Sequence, residues 1–150
     1  MVWNLEENIQ RDIEKAQENI ELYGGYVLKA PNRHEIRTGV IIAARFADKI
    51  RRTAFAALGR VVPREEIAKS VAELNKKIYE KLTSMGVGKL DIIRIAVEAV
   101  IDGDKLTFGE PRIEWFVPHT ELQKRVEECE KKMAEIRERI ESLLRELSQP

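Results

Sequence analysis

One cysteine, Cys129, is all the 150-residue chain contains, so no internal disulfide framework can form. A lone thiol fits a reducing compartment. Histidine is nearly as scarce: His34 and His119 lie far apart, and neither has a metal-ligand companion at suitable spacing. We therefore expect no metal and no cofactor. No apolar run approaches the roughly 18 residues of a membrane span. The opening Met1-Val2-Trp3-Asn4-Leu5-Glu6-Glu7 is acidic and turns polar at once, unlike a secretory leader. These features predict a cytoplasmic protein with no membrane partner. Aromatic residues make up only 6%, which limits any base-stacking surface to one or two rings. There is also no net charge, and that alone argues against a nucleic-acid partner.

What the chain does have is charge of both signs, unevenly placed. Charged residues reach 35%, a share that fits long solvated helices or ion-pair networks. Residues 1–23 hold 2 basic and 6 acidic side chains, residues 24–118 hold 17 and 12, and residues 119–150 hold 7 and 8. Within 33–60 the count is 7 basic against 2 acidic. Attraction of phosphates depends on the local field, so a cationic middle segment can act in a neutral chain. The plainer reading is that these are solvated helix faces.

Hydrophobic periodicity divides the chain into three parts. Residues 3–22 read as an acidic amphipathic helix, with Leu5, Ile9, Ile13, Ala16 and Ile20 on one stripe and Gly24-Gly25 as its stop. Short strands are expected at Tyr26–Ala30 and Ile36–Ile42, joined by a turn at Pro31-Asn32-Arg33. Ala43, Phe46, Ala47, Ile50, Ala54 and Ala57 then follow a helical period that ends at Gly59. Pro63 suits a first helical turn, and Ile67, Val71, Leu74, Ile78 and Leu82 extend a second helix to about Ser84.

Leu90–Ile101 and Asp104–Val117 carry the strongest β pattern and flank Asp102-Gly103, which suits a tight hairpin. A two-residue turn there sets Val97 opposite Phe108 and drives Arg112 beside Ile93 on the apolar face. One extra residue at Gly109-Glu110-Pro111 corrects the register. It returns Ile113 and Trp115 to the core and puts Arg112 on the face of Arg94.

From 119 to 148 the pattern is helical with a seven-residue repeat: Val126, Cys129, Met133, Ile136, Ile140, Leu143 and Leu147. A strict 3.5 period favours a coiled coil between copies; packing against the 3–22 helix is the other reading. The expected fold is α+β: a small antiparallel sheet of about four strands packed with helices, plus a C-terminal coiled-coil helix. The expected divisions are an acidic helix at 1–23, a nucleic-acid-binding domain at 24–118 and an oligomerisation helix at 119–150.

Catalytic chemistry is not legible. No Ser/His/Asp set stands in a recognisable local context. Gly86-Val87-Gly88-Lys89-Leu90 has the look of a phosphate loop and fails at two places: Thr83 replaces the leading glycine, and Leu90 replaces the magnesium-binding Ser/Thr. An enzyme is not expected. Surface chemistry remains. Arg45, Lys49 and Arg52 follow each other at helical spacing along 43–58, with Arg51 adjacent and Arg37 just before. Arg94 and Arg112 project from the hairpin, and Lys76 and Lys77 from the second internal helix. Such cations pair with successive phosphates, while Phe108 and Trp115 are candidates for stacking bases or for the core.

The segment Thr38-Gly39-Val40-Ile41-Ile42-Ala43-Ala44-Arg45-Phe46-Ala47-Asp48-Lys49-Ile50-Arg51-Arg52-Thr53 resembles the signature of the archaeal ThermoDBP and ThermoDBP-related proteins. Ala72-Glu73-Leu74-Asn75 with Ile78-Tyr79-Glu80 resembles that family's second helix, and the resemblance spans about 24–117. It implies an antiparallel sheet and helices around a cleft with an apolar floor and basic rims. In such proteins the cleft takes single-stranded DNA with little sequence preference. It makes Arg45, Lys49, Arg51 and Arg52 the leading contact residues, and it implies a homo-oligomer, in some members through a leucine zipper. RNA binding by the same face, or an oligomeric protein scaffold, are the competing functions.

Overall fold

The computed structural model describes residues 5–149; the expected helical start at 3 and 4 lies outside them. Helix α1 runs Leu5–Tyr23. Strands β1 (Gly25–Ala30) and β2 (Arg33–Ile42) follow as an antiparallel pair. A 3₁₀ turn at Ala43–Arg45 leads into α2 (Phe46–Leu58), and α3 spans Arg64–Met85. Strands β3 (Ile92–Asp102), β4 (Lys105–Phe108) and β5 (Arg112–Phe116) precede α4 (His119–Ser148). The chain divides into two compact units, Met1–Phe116 and Val117–Pro150.

The first unit holds a five-stranded antiparallel sheet in the order β1-β2-β3, with β4 and β5 both on the far side of β3. There is one strand more than expected, because the predicted 104–117 strand breaks at Gly109–Pro111. β4 pairs with Ala99–Asp102 and β5 with Ile92–Ala96, their registers offset by one residue. That offset is the extra residue the apolar pattern demands. The hairpin turn lies one residue later than expected, at Gly103-Asp104, with Asp102 opposite Lys105 and Gly103 at φ +60°.

Alternation along β3 separates two faces. Ile93, Ile95, Val97 and Ala99 point into the core, where they meet Ile50, Ala54 and Leu58 of α2 and Ile67, Val71, Leu74 and Ile78 of α3. Each fully buried Ile or Leu contributes about 1.5–3 kcal/mol, so this face fixes how the helices sit on the sheet. Polar contacts join α3 to the edge strand: Ser70 Oγ donates to the Leu106 carbonyl at 3.2 Å, and the Leu106 amide donates to Glu66 Oε1 at 3.2 Å.

A bulge interrupts β2 between Arg37 and Val40. There the buried Thr38 hydroxyl accepts from the Ile95 amide at 3.0 Å and donates to the Gly39 carbonyl at 2.8 Å, replacing ladder bonds that the bulge removes. Gly39 has φ +68°, and a Cβ on it would stand 2.3 Å from the Gly24 amide nitrogen. The bulge and the α1–β1 junction thus touch backbone to backbone, which fixes the C-terminal end of α1 against the sheet.

The second unit is α4, one helix of 30 residues. Its heptad residues Val126, Cys129, Met133, Ile136, Ile140, Leu143 and Leu147 are all exposed, as is every other residue of the helix.

Candidate nucleic-acid interface

The sheet parts the sequence-predicted contact residues into groups on opposite sides. On the helical side, Arg45 closes the 3₁₀ turn and Lys49, Arg51 and Arg52 follow on α2, whose other face buries Ile50, Ala54 and Leu58. Asp48 sits within this row and takes up two of its cations, with 3.6 Å to Arg51 and 3.2 Å to Arg52. Such exposed pairs are worth little and open readily to a stronger anion. Arg45 and Lys49 form no ion pair among the described residues. Lys76 is exposed on α3.

Beside Arg45 lies a cleft of about 340 Å³ lined by Ala43, Ala44, Phe46, Tyr79, Leu82, Thr83, Val87, Gly88 and Lys89. Its floor is mostly aliphatic, Phe46 and Tyr79 supply rings, and Lys89 adds a cation. Tyr79 is 63% exposed. Local folding explains the shape. α3 ends at Gly86 with φ +81°, and the Val87 amide donates to the Leu82 carbonyl at 3.0 Å, a left-handed cap that turns the chain back. The following loop is then pinned to the 3₁₀ turn: the Ala43 and Ala44 amides donate to the carbonyls of Asp91 and Lys89 at 2.8 and 2.9 Å. The Gly88 amide donates to the Asp91 carboxylate at 2.7 Å. This is the segment with the look of a phosphate loop, and its glycine amide already holds an anion from its own chain.

On the outer face of the sheet, Arg37, Arg94 and Arg112 line a second cleft of about 250 Å³ with Ala96, Glu114 and Glu21. Register places them together, since Arg37 and Arg112 both pair with Ala96, and Arg94 pairs with Glu114. Arg94 reaches Glu114 at 2.7 Å and lies 5.3 Å from the Phe116 ring centroid, a cation–π distance. The Glu114 hydrogen bond raises the Arg94 pKa above its ordinary value, and the Arg94 hydrogen bond lowers that of Glu114. Exposed Val40, Ile92 and Phe116 add apolar surface to this face.

Beneath this cleft is Glu35, 2% exposed, with Lys29 and Arg37 at 2.5 Å each and Arg112 at 3.4 Å. Burial pushes its carboxyl up, but the hydrogen bonds and charges of Lys29 and Arg37 outweigh burial, and the pKa lies below the ordinary 4.5. Glu35 therefore stays ionised and anchors two of the three cleft arginines.

The ten predicted contacts therefore do not share one surface. The α2 group and the Arg37–Arg94–Arg112 group are on opposite sides of the sheet, and Phe108 and Trp115 pack against the core on the helical side. Partial burial of both rings follows from register, since Trp115 pairs with buried Ile93 and Phe108 with buried Ala99. Sequence reading missed Tyr79, Lys89, Glu35 and Glu21. Tyr79 was detectable as an aromatic residue off the Ile67–Leu82 stripe. The two glutamates gain meaning only from the fold, which sets Arg112 against Glu35 and brings Glu21 of α1 to the outer-face cleft. Among the described residues no cluster of His, Cys, Asp and Glu can hold a metal ion, and no helix is long and apolar enough to cross a membrane.

The sequence model of a family described as ThermoDBP-related, archaea, matches residues 36–107, a span that includes every residue lining the apolar cleft. No curated protein matches the chain significantly. Among solved structures, that of pfuThermo-DBP-RP1 is 36% identical over 76% of this chain and 84% of that one, with a TM-score of 0.54. The structure of apeThermo-DBP-RP2 bound to ssDNA dT10 is 27% identical, with a TM-score of 0.51. It covers 69% of this chain, which spans about half of that protein, 52% of its length. The chain belongs to the ThermoDBP-related family of archaea.

Proposed function

We propose that this protein is a non-catalytic, sequence-nonspecific binder of single-stranded DNA, acting as a homo-oligomer. The observation that carries the reading is the placement of two cations without an ion-pair partner among the described residues, next to the apolar cleft that Phe46, Tyr79 and Lys89 line. Arg45 stands between the cleft residues Ala44 and Phe46, and Lys49 follows one helical turn after it. Phosphates draw to the α2 row through local field, and bases leave water against the rings and aliphatic floor. Each stacked base is worth about 1–3 kcal/mol whatever its identity, which accounts for weak sequence preference. A relative 27% identical to this chain is described as bound to dT10, and it supports DNA as the strand. Arg51 and Arg52 would exchange Asp48 for phosphate as the strand arrives.

Assembly rests on α4. Its seven-residue apolar stripe is exposed along the whole helix, and a second copy supplies the same stripe to cover it. Residues 119–150 are the oligomerisation segment in this reading, and 24–118 the DNA-binding domain.

Fluorescence anisotropy of labelled oligo-dT, its RNA counterpart and duplex DNA tests the function. The expected result is tightest binding to oligo-dT with strong weakening by salt, each phosphate contact adding about 0.7 to the slope of log K against log salt. Stronger binding to RNA would reassign the strand, and no binding to any of the three would refute the reading.

A further inference from the structure

The outer-face cleft presents three guanidinium groups on a rigid sheet, yet a carboxylate from another element already faces them. Glu21 of α1 lines the cleft with Arg37, Arg94 and Arg112, and it makes no direct ion pair with them among the described residues. We propose that this cleft is a second phosphate-binding site for the strand, and that Glu21 is the residue that limits its affinity by standing where a phosphate would enter.

Three observations support this. First, Glu21 is held in place by the fold. It sits three residues before Gly24, whose backbone meets the β2 bulge so closely that a Cβ there would stand 2.5 Å from the Thr38 carbonyl oxygen. The backbone of the last turn of α1 is therefore fixed over the sheet, and Glu21 on that turn lines the cleft. Second, the cleft arginines are held for a ligand: Glu35 fixes Arg37 and Arg112 from below, and Glu114 fixes Arg94 from the side. With Glu35 and Glu114 engaged in this way, Glu21 is the remaining acid of the cleft. Its charge contributes to the raised pKa of Arg94. Third, the surroundings suit a nucleotide as well as an anion, since Phe116 is 41% exposed beside Arg94 and Ile92 is 40% exposed next to it.

Carboxylate and phosphate compete for the same guanidiniums. A phosphate entering the cleft meets like charge from Glu21, and that repulsion is removed when the side chain is neutral. The effect is assigned to Glu21 because it is the α1 carboxylate that lines the cleft.

The inference rests on the strand-binding reading, and the test separates the two. Anisotropy is measured with labelled oligo-dT across a salt series for the full chain, Glu21→Gln, Arg112→Ala and the double variant. Glu21 is exposed and Arg112 is 72% exposed, so circular dichroism should find all four folded. Glu21→Gln should bind roughly three- to tenfold tighter at low salt, with the slope of log K against log salt steeper by about 0.7 for one added phosphate contact. In the Arg112→Ala background the same change should give no gain. Binding by the wild type with no gain in Glu21→Gln overturns this inference and leaves the strand-binding reading standing. A gain that persists without Arg112 also overturns it, because it would reflect overall charge and not the cleft. Should neither protein bind, the strand-binding reading fails and this inference with it.

Discussion

Replacing Glu35 by glutamine keeps the shape of the side chain and removes the charge at the centre of the outer-face network. Glu35 is 2% exposed and holds Lys29, Arg37 and Arg112 at 2.5, 2.5 and 3.4 Å. Breaking one partner of a buried pair costs about 3–5 kcal/mol when the survivor stays buried. Here the survivors are 46%, 29% and 72% exposed, so water takes up part of the loss. The expected cost is about 2–3 kcal/mol at neutral pH, or roughly 8–12 °C in the melting temperature of a unit this size. The pH dependence has a definite sign. A carboxyl whose folded pKa lies below its ordinary 4.5 contributes stability that is complete above that value. The contribution is lost as pH falls through the lowered native value. Wild type and Glu35→Gln should therefore melt far apart at pH 7 and converge in acid. Thermal unfolding by circular dichroism across a pH series reads this directly. Equal melting temperatures at pH 7, or a gap that stays constant into acid, would refute the reasoning.

Two further substitutions probe other parts of the account. Gly39→Ala places a Cβ 2.3 Å from the Gly24 nitrogen at φ +68° and should cost about 3 kcal/mol, whereas Gly103→Ala, with φ +60° and nothing within 4 Å, should cost about 1. Chemical denaturation compares them, and equal costs would mean that the α1–β2 contact is not tight. Replacing Ile136 and Ile140 together by aspartate should lower the mass in light scattering while leaving the sheet spectrum intact; an unaltered mass would sink the coiled-coil assembly.

Helices were the most legible part of the chain because their apolar stripes are long and their ends carry Gly or Pro. The α4 span of 119–148 and the Gly86 cap of α3 follow from periodicity and a single residue type. The bulge at Gly109–Pro111 was legible for a similar reason: without it Arg112 would enter the core. The turn position was not, since Asp102-Gly103 and Gly103-Asp104 are both good turn pairs and differ only in long-range pairing. The grouping of the cations is the least legible feature. Spacing along one helix unites Arg45, Lys49 and Arg52, but which side of the sheet Arg37 takes depends on the bulge at Thr38-Gly39. Glu35 and Glu21 carry no sequence signal at all. Glu35 takes Lys29 and Arg37 from nearby in the chain but meets Arg112 only through the sheet, and Glu21 reaches the cleft arginines only through the fold.

The most direct test of the central claim is the salt dependence of oligo-dT binding by the wild type and by a variant with Arg45, Lys49 and Arg52 all changed to alanine. These side chains lie outside the core, so the variant should stay folded. Tight wild-type binding is expected, with an affinity for the variant lower by at least tenfold and a slope of log K against log salt shallower by about 2, from three lost contacts at about 0.7 each. Unchanged affinity and slope in a folded variant would contradict the account, because the strand would then not lie along α2.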